Sequence, residues 1–191
     1  GSSKSPEAIK VREAVSYLHK ISPETIVDGE LQTDFALNSA LLKKEKERLE
    51  SITNIPTSLS RQHFLRFSLP ETYQNLIDLE INQDFSMGYA SHIGFRASTS
   101  IPFYFFDLDF EIQTPLLVHP FALMDTTLND YMGLTPKQSL GRTKDLLKEV
   151  MVVKGTFITL FHNESLSGYL RWNGWQRVYE TMLKMIHKHV N

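Results

Sequence analysis

The sequence predicts an α/β fold in which a mainly parallel sheet is flanked by helices. Short runs of β-branched and aromatic residues alternate with segments of helical apolar spacing, the pattern of strand–helix units. One run, Thr156–Phe161, follows the Lys154-Gly155 break and stops on His162, so a titratable ring stands where a strand gives way to a loop. In sheets built from strand–helix units, such carboxyl ends are where ligands bind. The chain has 191 residues, 41% of them hydrophobic, which is enough for one domain with a real core and short for two.

The elements follow in order. Ser5-Pro6-Glu7 sets a cap residue before a proline at the first helical position, and Ile9, Ala14, Val15 and Leu18 continue that helix towards Ile21. Thr25–Val27 is a strand ending at Asp28-Gly29. Residues 40–50 form a charged helix with opposite charges four apart, a solvated face. Pro56–Ser60 is extended and Pro70–Leu79 helical. Between Asp84 and Ser100, Gly88 and Gly94 mark strand ends and loop. Ile101–Phe106 is strongly aromatic, and Leu116–Leu123 is a second extended run. Thr135-Pro136 opens a helix reaching about Val153, with apolar residues at Leu140, Leu146, Leu147 and Val150. Gly155–Phe161 reads as a buried strand, and Trp172–Val190 as the closing helix.

Bulk properties exclude several classes. The 20 basic and 22 acidic residues give a net charge of -2 and are interspersed, which argues against nucleic acid or an anionic membrane as partner. No apolar stretch approaches the roughly 18 residues of a membrane span. Charges at Lys4, Glu7, Lys10, Arg12 and Glu13 interrupt any signal-type apolar segment, so a cytoplasmic location is expected. Without cysteine there is no disulfide, thiolate nucleophile or cysteine zinc site. His92 and His119 read as structural. His187 and His189 lie two apart on a helix, so their rings diverge and make a poor metal pair.

Several segments carry a family likeness when taken together. They are Lys43–Glu50, Ser60–Leu65, Asp84–Tyr89, Gly94–Ala97, Pro102–Leu108, Pro120–Asp125 and Phe161–Asn163. In this order and spacing, residues 41–191 resemble the C-terminal part of the polysaccharide deacetylases, carbohydrate esterase family 4 or the NodB-homology group. The resemblance implies a distorted, here partial, (β/α) barrel. It also implies a hydrolase that removes N-acetyl groups from a glycan, using one divalent metal such as zinc to polarise the carbonyl and activate water.

On that likeness His162 matches the general acid, and Arg61 the arginine that holds the catalytic aspartate ionised and oriented. Asp84 or Asp125 is the carboxylate paired with His162. Phe103 and Tyr104, within the aromatic run to Phe106, would face the sugar, as would Trp172. His63, Arg96 and Asn163 complete the expected substrate contacts, with a satisfied loop histidine and a loop-bracing arginine as the plainer readings of His63 and Arg96.

The likeness lacks two parts. No Thr-Phe-Asp strand end occurs, and no pair of histidines precedes the Lys43–Glu50 helix, so no metal ligands are assigned and no cofactor is retained. Where they would stand, Gly1–Lys4, Lys10–Ala14 and Val27-Asp-Gly-Glu-Leu-Gln-Thr-Asp34 resemble phosphate acetyltransferases, in a unit beside an acetyl phosphate and coenzyme A cleft. The chain is therefore expected to divide at about residue 40, as a fusion or truncation or as a divergent deacetylase with replaced first strands. The deacetylase half would be incomplete and inactive alone. The alternatives are a non-catalytic module binding N-acetylated glycan or a protein partner, and a phosphate acetyltransferase fragment. An exposed sheet edge would favour self-association.

Overall fold

The structure, a computed structural model, describes residues 26–29 and 39–190. The helix expected from Ser5 to Ile21 lies outside them. Their larger sheet has five strands: β1 (Ile26–Gly29), β2 (Leu59–Gln62), β3 (Gln83–Asp84), β4 (Phe103–Asp107) and β5 (Ile112–Val118), in the order β1-β2-β3-β5-β4. β1, β2, β3 and β5 run parallel to their neighbours, and β4 pairs antiparallel with β5. A smaller sheet pairs β6 (Leu123–Met124) with β7 (Thr159–Leu160), also in parallel. The mixed α/β architecture with a mostly parallel sheet is as expected. The described residues form open sheets rather than a closed barrel.

Helix α1 (Ser39–Thr53) covers the expected charged segment. Lys46 and Glu50 pair across one turn at 2.8 Å, and Glu50 also accepts the Thr57 amide at 2.7 Å. Both interactions hold the Glu50 carboxyl below its ordinary range, the Lys46 hydrogen bond more strongly. One turn before Lys46 on the same side of the helix, Leu42 is buried in a cluster with Tyr73, Leu76, Ile81, Phe105, Leu116 and Val118. Tyr73 and Leu76 come from helix α2 (Glu71–Asp78), so two helices close one face of the large sheet.

Helix α3 (Pro136–Val152) begins with a reciprocal cap: Thr135 accepts the Gln138 amide, and the Gln138 side chain accepts the Thr135 amide. It packs on helix α4 (Trp175–Val190). The core beneath this pair contains Leu123, Leu128, Trp172, Trp175 and Val178. The closing helix therefore starts three residues later than expected, because residues 170–172 form a tight turn and Asn173-Gly174 intervene.

Two further expectations need correction. The run Leu116–Leu123 is not one strand. The ladder breaks after Val118, and the chain crosses from the large sheet to the small one before Leu123. Gly155–Phe161 is not a buried strand either. Only Thr159–Leu160 is paired, and none of the seven residues is fully buried. Among the described residues, this two-residue ladder has one partner strand, β6.

Candidate functional site

The short β6–β7 ladder sets the position of one acid and one base. Its register pairs Leu123 with Thr159 and Met124 with Leu160. The next residues out are Asp125 on one strand and Phe161-His162 on the other, so two parallel chains deliver a carboxylate and an imidazole to the same end. Asp125 is fully buried. Its Oδ2 accepts the backbone N–H of His162 at 2.6 Å, and its Oδ1 accepts His162 Nδ1 at 2.7 Å and the Thr126 N–H at 2.7 Å.

These bonds decide what the histidine can do. A carboxylate can only accept, so Nδ1 carries the proton and a neutral ring presents Nε2 as its basic atom. The side chain of His162 is 43% exposed, whereas that of Asp125 is 0% exposed. The base thus faces outward while its orienting group stays in the interior. The His162 carbonyl is held in turn by the Ser165 hydroxyl at 2.7 Å and the Ser165 amide at 3.1 Å. The arrangement supports proton transfer at Nε2 with the ring fixed in tautomer and direction.

Asp84 stands at the carboxyl end of β3, also fully buried. Its donors are the Ser86 hydroxyl at 2.7 Å, the Ser86 amide at 2.9 Å and the Tyr73 phenol at 3.1 Å. Burial pushes its carboxyl from the ordinary 3.8 to about 6, against the opposing pull of Ser86, Tyr73 and the Arg61 charge. Burial also pushes the Tyr73 phenol up, and the neighbouring Asp84 adds to the shift. Of the two aspartates expected to pair with His162, the geometry selects Asp125.

Arg61, near the carboxyl end of β2, directs its Nε at the Phe85 carbonyl at 3.5 Å, with its guanidinium 5.9 Å from the Phe85 ring. Its charge favours ionised Asp84, the carboxylate that does not pair with His162. His63 follows β2 and meets the Phe64 ring edge-on at 4.3 Å. Arg96 lies 4.5 Å over the Phe67 ring. Phe103 packs partly buried on the main core, while Tyr104 and Phe106 project outward with exposures of 52% and 50%. The expected aromatic wall is therefore split between two faces of β4. Asn163 is exposed, and its Oδ1 accepts the Glu164 amide at 3.1 Å.

Trp172 departs from its expected place. It is 1% exposed and meets Trp175 edge-on at 5.5 Å in the core, so it offers no face on which a sugar could stack. His119 is satisfied, as expected: its Nε2 is 2.8 Å from the Gln83 amide oxygen and its ring stacks on Phe85. Burial pushes its imidazole down. Among the described residues no three His, Asp or Glu side chains converge as a metal site requires. The divalent metal implied by the resemblance is not matched by these residues, and no step is derived through one.

Thr126, Ser165, Ser86 and Tyr73 escape the sequence reading. Thr126 contributes only its backbone N–H, which no residue type announces. Ser86 had a signal, since Asp-x-Ser at a strand end is the spacing of an aspartate accepting from the chain two residues on.

Comparison with protein families finds a similarity to the phosphate acetyl/butaryl transferases over residues 1–53, which runs through α1. No deacetylase family matches, and this overturns the resemblance of residues 41–191 to the polysaccharide deacetylases. Comparisons with curated proteins and with solved structures return no match.

Proposed function

We propose that this chain moves an acyl group by acid–base catalysis, with His162 as the proton carrier and Asp125 as the residue that positions it. The carrying observation is the fully buried Asp125 carboxylate holding both the His162 backbone N–H and Nδ1 at 2.6 and 2.7 Å. The acyl class comes from the similarity of residues 1–53 to phosphate acetyl/butaryl transferases, which makes an acyl phosphate the donor of choice. In this reading Nε2 removes the proton of an acceptor thiol or hydroxyl as that atom attacks the acyl carbonyl. The leaving oxygen then collects a proton from the same ring.

The test is acyl transfer from acetyl phosphate to coenzyme A and, separately, from p-nitrophenyl acetate to water. Turnover is expected with the unaltered chain, and His162→Ala should lower it by about 10²-fold or more. Equal rates in the two proteins, or no turnover with either donor, remove the proposal.

A second reading draws on Tyr104 and Phe106, whose exposed rings sit on β4 at the edge of the large sheet. Such a surface suits a non-catalytic module that takes an N-acetylated glycan, or self-association edge to edge. Calorimetric titration with an N-acetylglucosamine oligomer, with a Tyr104→Ala control, separates the glycan from the self-pairing. Sedimentation of Phe106→Lys against the unaltered chain tests the self-pairing.

A further inference from the structure

A second hydroxyl–imidazole pair stands on the loop between β3 and β4, outside the His162–Asp125 pair. The Ser91 hydroxyl lies 2.7 Å from His92 Nδ1, and both residues are exposed. That separation is within the roughly 2.6–3.2 Å over which a base can take a hydroxyl proton. A neutral imidazole with its proton on Nε2 accepts the Ser91 hydrogen at Nδ1, so the serine oxygen gains nucleophilicity as its proton leaves. Tyr89 stands edge-on to the same ring, with centroids 6.0 Å apart.

The loop is pinned on both sides of the pair. The Ala90 carbonyl accepts the Thr127 hydroxyl at 2.6 Å, and the Gly94 amide donates to the Ala122 carbonyl at 2.7 Å. Ala90 packs on the cluster of Leu65, Phe121 and Met124, and Ile93 on the cluster of Leu123, Leu128 and Trp172. The flanking residues thus face the core while Ser91 and His92 face solvent. A backbone fixed in advance leaves little to be ordered when a reacting carbonyl arrives. The contact itself supports no core, because neither side chain is buried and water could replace either partner at small cost.

We propose that Ser91 is an acyl-accepting nucleophile with His92 as its base, taking the acyl group of an activated donor as a serine ester. The acyl class rests on the transfer proposed above, whereas the serine chemistry needs no part of His162. A bond forms between Ser91 Oγ and the acyl carbon as the bond from that carbon to the leaving oxygen breaks. The Ser91 proton passes to His92 Nδ1 and from there to the leaving oxygen.

The test treats the full chain with p-nitrophenyl acetate and, separately, with diisopropyl fluorophosphate, a serine probe that releases fluoride. Peptide mass spectrometry then locates the adducts. Both labels should fall on Ser91, vanish in Ser91→Ala and form about 10²-fold more slowly or worse in His92→Ala. Ser98, an exposed serine of the same loop, is the internal control and should stay unlabelled. Both variants should keep the Tm of the unaltered chain, since only exposed side chains are cut back. In His162→Ala the Ser91 label should persist. Acyl transfer to coenzyme A that also persists there removes the His162 reading and leaves Ser91 standing. No adduct on Ser91, equal labelling of Ser98, or an unchanged labelling rate in His92→Ala overturns the proposal.

Discussion

Asp84 and Asp125 are both fully buried carboxylates at the carboxyl ends of parallel strands, and each accepts three hydrogen bonds. They differ in where those bonds come from. Asp84 is ringed by groups that are themselves interior, the Tyr73 phenol and the hydroxyl and amide of Ser86. Asp125 spends two of its three bonds on a residue whose ring reaches solvent. A buried acid whose partners are all buried can act only on the fold. One that grips an exposed imidazole acts on whatever the imidazole meets.

The largest effects should come from breaking the Asp125 end. In Asp125→Asn the amide cannot accept from both His162 donors, so one Asn Nδ2–H group faces an N–H, or the ring turns to the other tautomer. Acyl transfer should fall by about 10²–10⁴-fold, comparable to the removal of a general base. The unpaired buried donor should also cost about 1–3 kcal/mol of stability. Rates from stopped assays and denaturant midpoints report the two effects separately. A variant that keeps full activity would place Asp125 with Asp84, as an acid of the fold alone.

Asp84 should declare itself through pH instead. Its folded value of about 6 lies above the ordinary 3.8, so the folded state binds the extra proton between these values. Its stabilisation is fully present below about pH 4 and is lost as pH rises through about 6. At 1.36 kcal/mol per unit, a shift of about two units amounts to roughly 3 kcal/mol. Asp84→Asn removes the titration. The unfolding free energy of the variant minus that of the unaltered chain should climb by about that amount between pH 4 and 7, then level off. A difference that stays flat with pH would mean Asp84 is ionised throughout and better compensated than its surroundings indicate.

A third perturbation reaches the Asp125 end through packing. Any Cβ on Gly88 would overlap the Phe121 ring, and Phe121 belongs to the cluster with Leu65 and Met124 that supports the site. Gly88→Ala should cost about 1–3 kcal/mol by overpacking and lower turnover further than that loss alone explains. Gly141, a helix position with open space around a Cβ, is the control. Gly141→Ala should be neutral or slightly stabilising.

These contrasts also mark what the sequence could reveal. Element types were legible wherever local chemistry decided them: the Thr135-Pro136 cap, the charge pairs of α1, and Pro70 before α2. His162 at a strand end was legible for the same reason, because the apolar run stops there. The choice between Asp84 and Asp125 was not, since it depends on which strand lies beside β7. Trp172 was misplaced because an aromatic beyond a polar loop reads alike whether it meets Trp175 or a ligand. The deacetylase likeness rested on ordered short segments, and such segments also arise from shared strand-end chemistry without shared descent.

The mildest perturbation tests the Asp84 end alone. Tyr73→Phe keeps the ring in its stack on Phe67 and its edge contact with Phe105 and removes only the phenol that donates to Asp84 at 3.1 Å. That bond favours the ionised carboxylate, so losing it raises the Asp84 value further. Above about pH 7 the variant should be less stable by about 1 kcal/mol, the net worth of one hydrogen bond. Near pH 4, where the folded carboxyl is protonated and has a proton of its own to give, the deficit should shrink. The fall in stability should still begin near pH 4 but level off at a higher pH, and thermal melts across that range would read it. The same substitution made in Asp84→Asn should show no pH-dependent part, because the group whose ionisation the phenol favours is gone. A pH-dependent deficit that survives there would assign it to another acid and dissolve the contrast between the two strand ends.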